Sequence, residues 1–130
     1  MAAAGIVIRA AHYPGRAPID AYGDGGFRFA GMSHHGAILC LPSGIYGWAP
    51  PPPAAIDAAS LARVLDEAGA IELLLVGTGR EIVPLAAPLT TRLREAGIVP
   101  ECMSTGAAVR TFNVLLAEGR AVAAALVAVE

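Results

Sequence analysis

The chain has 130 residues, a formal net charge of −2 and a composition that is 55% hydrophobic but only 15% charged, so we expect one well-packed domain. The sequence contains no lysine, which excludes a lysine Schiff base and the lysine of a phosphate-binding loop. Because acidic and basic side chains are nearly balanced, the composition also argues against a surface for nucleic acid or for anionic lipid.

Glycine and proline divide the first third of the chain into short segments. Residues 1–18 contain Pro14, Gly15 and Pro18 and are predicted to form an N-terminal arm, with a single domain over residues 19–130. The phenylalanines at positions 27 and 29 alternate with an arginine, a pattern typical of a strand that buries one face. The segments that predict a β-hairpin or meander are Ile19–Tyr22, Phe27–Phe29, Gly36–Leu41 and Ile45–Trp48.

A proline run separates this β-rich part from the rest of the chain. Residues 50–53 are all proline, so we expect a stiff connector in the polyproline conformation. Apolar residues then recur at helical spacing, and Asp57 is expected to cap this helix. Gly69 is expected to end it in the left-handed conformation, which costs glycine little. The apolar stripe of this helix consists of Leu61, Val64, Leu65 and Ala68.

Strands and helices alternate over the remainder of the chain. Residues 121–129 are rich in alanine, but their valines and their short length favour a buried final strand over a helix. Two helices are predicted in this part of the chain, and Gly97 and Gly119 are expected to end them. The alternation implies βαβ crossovers and a largely parallel sheet, with the N-terminal hairpin as an extra layer or an antiparallel edge. The predicted elements are strand Ile71–Val76, helix Ala86–Ala96, strand Ile98–Met103, a helix from Thr105 to about Glu118 and strand Ala121–Val129.

Two predicted strand ends supply a candidate anion pocket. The loop Gly77–Arg80 follows a buried strand, but Ile82 stands where the dinucleotide fingerprint needs its third glycine, so dinucleotide binding is rejected. The loop is expected to meet the start of the next helix, where Thr105 is the predicted N-cap. Free helix N–H groups and arginine side chains suit a carboxylate or a phosphate. The candidate pocket residues are Gly77, Thr78, Gly79, Arg80, Thr105, Gly106, Arg110 and Asn113.

A structural role would explain the same residues. The glycines would then make a tight turn, and Thr105 would only cap its helix. Arg110 would pair with an acidic side chain such as Glu118 or Asp20, since ion-pair networks also place arginine in such clusters. The sequence leaves the pocket and the structural interpretation open.

No complete catalytic or metal-binding set is evident in the sequence. His34 and His35 are adjacent, and adjacent residues of a strand point to opposite faces, so they cannot hold one ion. Ser33 and Ser104 lie outside the nucleophile motif G-x-S-x-G. We therefore predict no catalytic residue, no metal and no cofactor.

Cysteine usage and hydropathy predict a cytoplasmic protein. Cys40 and Cys102 lie in apolar runs, and two buried thiols are favoured over a disulfide. The apolar start through Ile8 is too short for the core of a signal peptide, and no apolar run reaches the ~18 residues of a membrane span. No direct membrane insertion is expected.

Several ordered motifs resemble one known family. The longest is Met103–Leu115, which reads M-S-T-G-A-A-V-R-T-F-N-V-L and is followed by Glu118–Arg120. The resemblance covers roughly residues 19–127. The family includes a mitochondrial assembly factor for respiratory complex I, an adipogenesis-associated protein and many bacterial and archaeal members of unknown function. The other matching segments are Ile19–Gly23, Gly26–Phe29, His35–Leu39, Leu41–Pro42, Trp48 and Leu73–Gly79.

The resemblance implies a three-layer α/β fold with a mixed, largely parallel central sheet, helices and an additional β-hairpin layer. It implies no established catalytic activity and no known cofactor. Ser104 stands where an aspartate is common, Val109 where cysteine is common and Phe112 where tyrosine is common, which makes acid–base chemistry at this place less credible.

The function expected from the resemblance is that of a non-enzymatic interaction module. Such a module would help to assemble a respiratory or other membrane protein complex, because the mitochondrial relatives act by binding other assembly proteins. Its partners would be assembly factors or subunits of a membrane complex, and self-association stays open. The alternative is a small-molecule binding protein or enzyme that uses the pocket at Gly77–Arg80 and Thr105.

Overall fold

The computed structural model describes residues 13–130, so the predictions for residues 1–12 of the arm lie outside the described residues. The strands are β1 (Ile19–Gly23), β2 (Gly26–Phe29), β3 (Met32–His35), β4 (Ala37–Leu41), β5 (Gly44–Trp48), β6 (Leu73–Gly77), β7 (Val99–Met103) and β8 (Val122–Leu126). The α-helices are α1 (Ala62–Asp66), α2 (Ala87–Glu95) and α3 (Thr105–Ala117).

A five-stranded mixed sheet forms the centre of the fold, with the strand order β5-β4-β8-β6-β7. Strand β8 pairs antiparallel with β4 and parallel with β6, so the parallel part of the sheet is limited to β8, β6 and β7. All five residues of β8 are buried, which confirms the predicted buried final strand. Pro100 lies in β7, the edge strand, where a residue without an N–H group is tolerated.

A separate three-stranded antiparallel sheet, β1-β2-β3, forms the additional β layer. Its two turns place Asp24-Gly25 and Ala30-Gly31 at positive φ, the signature of type I′ hairpins. Phe27 and Phe29 are both buried, as their alternation with an exposed arginine predicted. Strand β3 was not predicted, because its residues Met32–His35 carry no apolar alternation.

Two layers cover the two faces of the central sheet. Helices α1 and α2 bury one face, in the cluster that contains Val64, Leu93 and Leu74. The other face is covered by α3 and the three-stranded sheet, which meet in the cluster that contains Phe29 and Phe112. The predicted three-layer α/β architecture with an extra β layer is confirmed, and the extra layer is a pair of hairpins.

The glycines predicted to end the three helices do so in two cases but not in the third. Gly97 and Gly119 end α2 and α3 with φ of +86° and +73°. Gly69 was expected to end α1 in the same way, and this was wrong. A 3₁₀ turn, Ala68–Ala70, follows that helix and contains the glycine, because the Ala70 N–H bonds to the Glu67 carbonyl.

Asp57 does not cap α1. Its carboxylate accepts the Ser60 N–H while the Ser60 hydroxyl oxygen accepts the Asp57 N–H, each at 3.0 Å. This reciprocal capping closes the turn before α1, and the helix itself begins only at Ala62. The last proline of the predicted connector, Pro53, begins a single 3₁₀ turn.

The described part of the arm lies against the domain. Tyr13 exchanges two backbone hydrogen bonds with Ile45 on the edge strand β5, at 3.0 and 2.9 Å. Ala17 is buried in the same cluster as Phe29. Residues 13–18 thus add contacts to the central domain, and a domain boundary at residue 19 stays a prediction.

Candidate functional site

Thr105 connects three segments at the start of α3. Its side chain is fully buried, and its Oγ1 accepts the Gly79 N–H at 3.0 Å and donates to the Val127 carbonyl at 2.7 Å. Its own N–H donates to the Gly79 carbonyl at 2.8 Å. The hydroxyl of Thr105 is therefore used within the fold, both as donor and as acceptor.

The N-cap of α3 is Ser104, and the prediction that Thr105 caps this helix was wrong. The Ser104 Oγ accepts the Ala107 N–H at 3.3 Å, and Ser104 has the extended backbone of a cap residue. Thr105 is the first helical residue instead, because its side chain turns inward to the loop after β6. Ser104 and Thr105 are neighbours in the sequence, and no sequence pattern showed which of the two hydroxyl groups would accept an N–H group of the helix.

The loop after β6 reaches the helix start, as the parallel strand ends predicted. Gly77 lies so close to α3 that a Cβ on it would be 2.9 Å from the Thr105 Cα and 3.2 Å from the Ala108 Cβ. The Thr78 hydroxyl donates to the Glu81 carbonyl at 2.6 Å and accepts the Val83 N–H at 2.9 Å. The contact between loop and helix is closely packed.

Arg80 turns toward the end of the chain. Its Nη2 donates to the Glu130 carbonyl at 3.3 Å, on the protein surface. The Val127 N–H donates to the Gly77 carbonyl at 2.9 Å, and the Gly25 N–H donates to the Val129 carbonyl at 2.8 Å. Residues 127–130 thus join the loop after β6 to the first turn of the three-stranded sheet.

Arg110 and Gly106 keep free donors near the start of α3. Within residues 13–130 the exposed Arg110 guanidinium has no hydrogen-bond or ion-pair partner, so the expected pairing with Glu118 or Asp20 was wrong. The Gly106 N–H likewise bonds to no acceptor in this part of the chain. A Cβ on Gly106 would collide with the Tyr22 hydroxyl and lie 3.4 Å from the Arg110 Nη1, so both side chains flank this glycine.

Asn113 fastens α3 to the three-stranded sheet. Its Oδ1 accepts the Ile19 N–H and its Nδ2 donates to the Ile19 carbonyl, both at 2.8 Å. The side chain amide thereby pairs with the outer edge of β1, as a neighbouring strand would. A β-bulge follows directly, because the register shifts between Ile19 and Ala21. Both ends of the Asn113 amide are thus used to hold β1.

Asn113→Asp is expected to destabilise the fold by about 1–2 kcal/mol at neutral pH. The carboxylate still accepts the Ile19 N–H, but it meets the Ile19 carbonyl with no proton to donate. Protonation restores a donor, so the folded-state pKa of the introduced acid should lie above the unfolded value. The variant and the parent chain should then differ less in their free energy of unfolding as the pH falls toward and below about 4.

Urea unfolding of both chains between acidic and neutral pH tests this expectation. Asn113→Ala is the matched control, because it leaves both Ile19 groups without a partner at every pH. A stability difference for Asn113→Asp that is independent of pH would contradict the paired amide geometry.

The histidines and cysteines of residues 13–130 lie apart from one another or on different faces, apart from the adjacent His34 and His35. Within residues 13–130 no group of three or more His, Cys, Asp or Glu side chains is arranged to hold a metal ion, and His12 lies outside this range. Burial lowers the pKa of His34. Cys40 is buried and Cys102 half-buried, both as free thiols on opposite faces of the central sheet, and burial raises both pKa values.

We call the contacts of α3 with the loop after β6, with residues 127–130 and with the three-stranded sheet the junction. Tyr22 and Val127 belong to it but were not among the candidates. Val127 contributes only backbone groups, which no side-chain pattern reveals. Tyr22 comes from the three-stranded sheet, far from α3 in sequence. The adjacent motif Gly23–Gly26 marked a turn, but nothing in it indicated that the preceding tyrosine would reach the helix.

This architecture defines a class of small three-layer α/β domains, and comparison with known proteins assigns the family. Residues 19–127 match the family described as "Protein of unknown function (DUF498/DUF598)". The chain belongs to this family.

Relatives of known sequence and structure agree with this assignment. An uncharacterised protein of Rhodobacter capsulatus is 42% identical over 114 residues, which cover 88% of this chain and 86% of that protein. A crystal structure from Bartonella henselae, described as an outer membrane protein, has a TM-score of 0.87 and 60% identity, and the match covers 92% of this chain and all of the other.

The chain is also similar to an assembly factor from mouse. The mouse NADH dehydrogenase (ubiquinone) 1 alpha subcomplex assembly factor 3 is 30% identical over 122 residues, which cover 94% of this chain. The match covers 66% of the mouse protein, so the chain spans about two thirds of that relative.

Proposed function

We propose that this protein is an interaction module that helps to assemble a respiratory or other membrane protein complex. Its similarity to the mouse assembly factor 3 is the observation that carries this proposal. The junction adds support, because Thr105, Thr78 and Asn113 use their polar groups to hold the fold together. A domain of this kind offers its partners a rigid surface.

The surface that fits a protein partner runs along the exposed side of α3. Arg110 and Val114 are four residues apart on this helix and therefore lie on one face. Tyr22 approaches from β1 and contacts the same face at Gly106. We call Tyr22, Arg110 and Val114 the α3 stripe.

The α3 stripe has the composition of an interface centre. Tyrosine and arginine are enriched among residues that dominate binding energy at protein interfaces. Val114 is 57% exposed and Tyr22 is 41% exposed, so both present apolar area to solvent. The Arg110 guanidinium has no partner among residues 13–130 and is available to a partner's carboxylate.

Site-specific photocrosslinking tests the proposal. The chain would carry a photoreactive residue at position 114 and replace the native copy in bacteria that assemble respiratory complex I. We expect crosslinks to a complex I subunit or to another assembly protein, identified by mass spectrometry. Val114→Glu should lower the amount of assembled complex, measured on native gels.

Ile82 provides the matched control for these experiments. It is an aliphatic residue that is 63% exposed, and it lies in the loop after β6 instead of on α3. Crosslinking at position 82 should give no such product, and Ile82→Glu should leave assembly unchanged. Normal complex I levels in cells without this protein, together with no crosslink to a subunit or assembly protein of any membrane complex, would overturn the proposed function.

We further propose that the protein acts in the cytoplasm. Across residues 13–130 no helix is both long and apolar enough to cross a bilayer. The description of the Bartonella relative as an outer membrane protein points to another location, so cell fractionation with antibody detection is the direct test. Recovery in the outer-membrane fraction would contradict a cytoplasmic site of action.

A second candidate function is the binding of a carboxylate or phosphate at the start of α3. The free Gly106 N–H and the unpaired Arg110 guanidinium favour it, since both donors lie beside the positive end of the helix dipole. Arg110→Ala should abolish the binding of such an anion without loss of stability, because the side chain is exposed and makes no bond within residues 13–130. Unfolding of this variant would show that Arg110 is structural.

A further inference from the structure

Two hollows lie over the three-stranded sheet. One of about 430 Å³ is at the end formed by the Asp24 turn, and one of about 190 Å³ is at the opposite end. Arg28 and Ser33 line both of them. The larger hollow has the size of a small-molecule site, for which roughly 300–1,000 Å³ is usual.

The strand register explains why Arg28 is central to this surface. Phe27 and Phe29 face the core, so Arg28 between them faces outward from the middle strand. Its cross-strand neighbours are Ala21 on β1 and Ser33 on β3, and both are exposed. A cation thus lies between a small side chain and a hydroxyl, on the face of the sheet away from the core.

Glycines form the floor of the larger hollow. The next outward row of the sheet consists of Gly23, Gly26 and His35. Two of these three positions have no side chain, so the surface is recessed beside Arg28. A Cβ on Gly26 would collide with the His34 carbonyl oxygen, so this recess depends on glycine.

Arg28 offers the hollows an unpaired cation, and two carboxylates flank it. Within residues 13–130 neither the Arg28 guanidinium nor the Ser33 hydroxyl has a partner. Asp24 lines the larger hollow and Asp20 the smaller one, and neither pairs with Arg28. The central cation attracts an oxyanion, while the two flanking carboxylates repel a molecule that carries several negative charges.

We infer that this face binds a small organic molecule through a single carboxylate. Arg28 donates to the carboxylate from its planar fork of N–H groups, Ser33 adds a hydroxyl donor, and the organic part lies over the glycine floor. The larger hollow shares Tyr22 with the α3 stripe, but Arg28 and Ser33 do not belong to that stripe, so failure of this inference would leave the assembly function untouched.

An NMR titration of the ¹⁵N-labelled full chain tests the inference. Sodium acetate is the probe, sodium phosphate the competing anion, and sodium chloride at equal ionic strength the blank. Acetate should shift the amides of Arg28 and Ser33 in a saturable way, and phosphate should act more weakly. Arg28→Gln should weaken acetate binding roughly tenfold or more, and Arg28→Lys should lie between.

Arg92→Gln is the matched control, because Arg92 is an exposed arginine on α2, away from this sheet. It should leave the acetate titration unchanged. Equal losses in Arg28→Gln and Arg92→Gln, or shifts that do not saturate, would overturn the inference. A loss in Arg110→Gln alone would also overturn it, and would place the anion site at the start of α3.

Discussion

Thr105→Val is expected to destabilise the protein by about 3 kcal/mol. Valine has nearly the shape of threonine, so the change removes the hydroxyl and little else. The Gly79 N–H and the Val127 carbonyl then lose their partner at a position with no solvent exposure. Each buried polar group left without a partner costs about 1–3 kcal/mol. Urea unfolding followed by circular dichroism measures the loss.

Two further variants separate the hydrogen bonds from the side-chain volume. Thr105→Ser keeps the hydroxyl and removes one methyl group, so a loss of about 1 kcal/mol is expected. Thr111→Val makes the same chemical change on the same helix, where the hydroxyl has no partner within residues 13–130, and should stay within about 0.5 kcal/mol. Equal stability of Thr105→Val and the parent chain would show that these bonds do not hold the junction.

Gly77→Ala is expected to destabilise the protein by about 2 kcal/mol through overpacking. The added Cβ would lie 2.9 Å from the Thr105 Cα and 3.0 Å from the Leu126 Cδ2. The nearer atom belongs to the backbone, so α3 itself must move. Thermal unfolding measures the loss, and amide shifts in residues 105–108 report the movement.

Gly69→Ala is the matched control for this steric effect. Nothing lies within 4 Å of the added Cβ at Gly69, and its φ is not in the left-handed region. This variant should be neutral or more stable by up to about 1 kcal/mol, because alanine reduces the entropy of the unfolded chain. If Gly77→Ala behaves in the same way, the close approach of α3 to β6 does not require glycine.

Element order was predictable where hydrophobic periodicity was strong. The uninterrupted apolar run of β6 and the helical spacing before Gly97 and Gly119 predicted the alternating part of the chain. Strand β3 escaped prediction, because its sequence M-S-H-H owes its conformation to pairing with β2 and to the Ala30-Gly31 turn. Pairing of this kind depends on the neighbouring strand more than on intrinsic preference.

The sequence predicted which residues of the candidate site lie together better than it predicted what each residue does. The convergence of Gly77–Gly79 with Thr105 followed from the geometry of parallel strands. The role of Thr105 depends on Val127, and the role of Asn113 depends on Ile19, which is far away in sequence. Because such tertiary hydrogen bonds leave no local pattern, the sequence did not separate a ligand-binding group from one that holds the fold together.

The place of β8 in the sheet has a consequence for synthesis of the chain. Strands β4 and β5 can pair as soon as they are made, and so can β6 and β7 with the helix between them. These two halves share no strand pairing, because β8 lies between them and is made after both. Until residues 122–126 emerge, each half presents an uncovered apolar face and the open strand edge that β8 later occupies. A nascent chain is therefore open to strand addition and aggregation until its last strand joins the two halves.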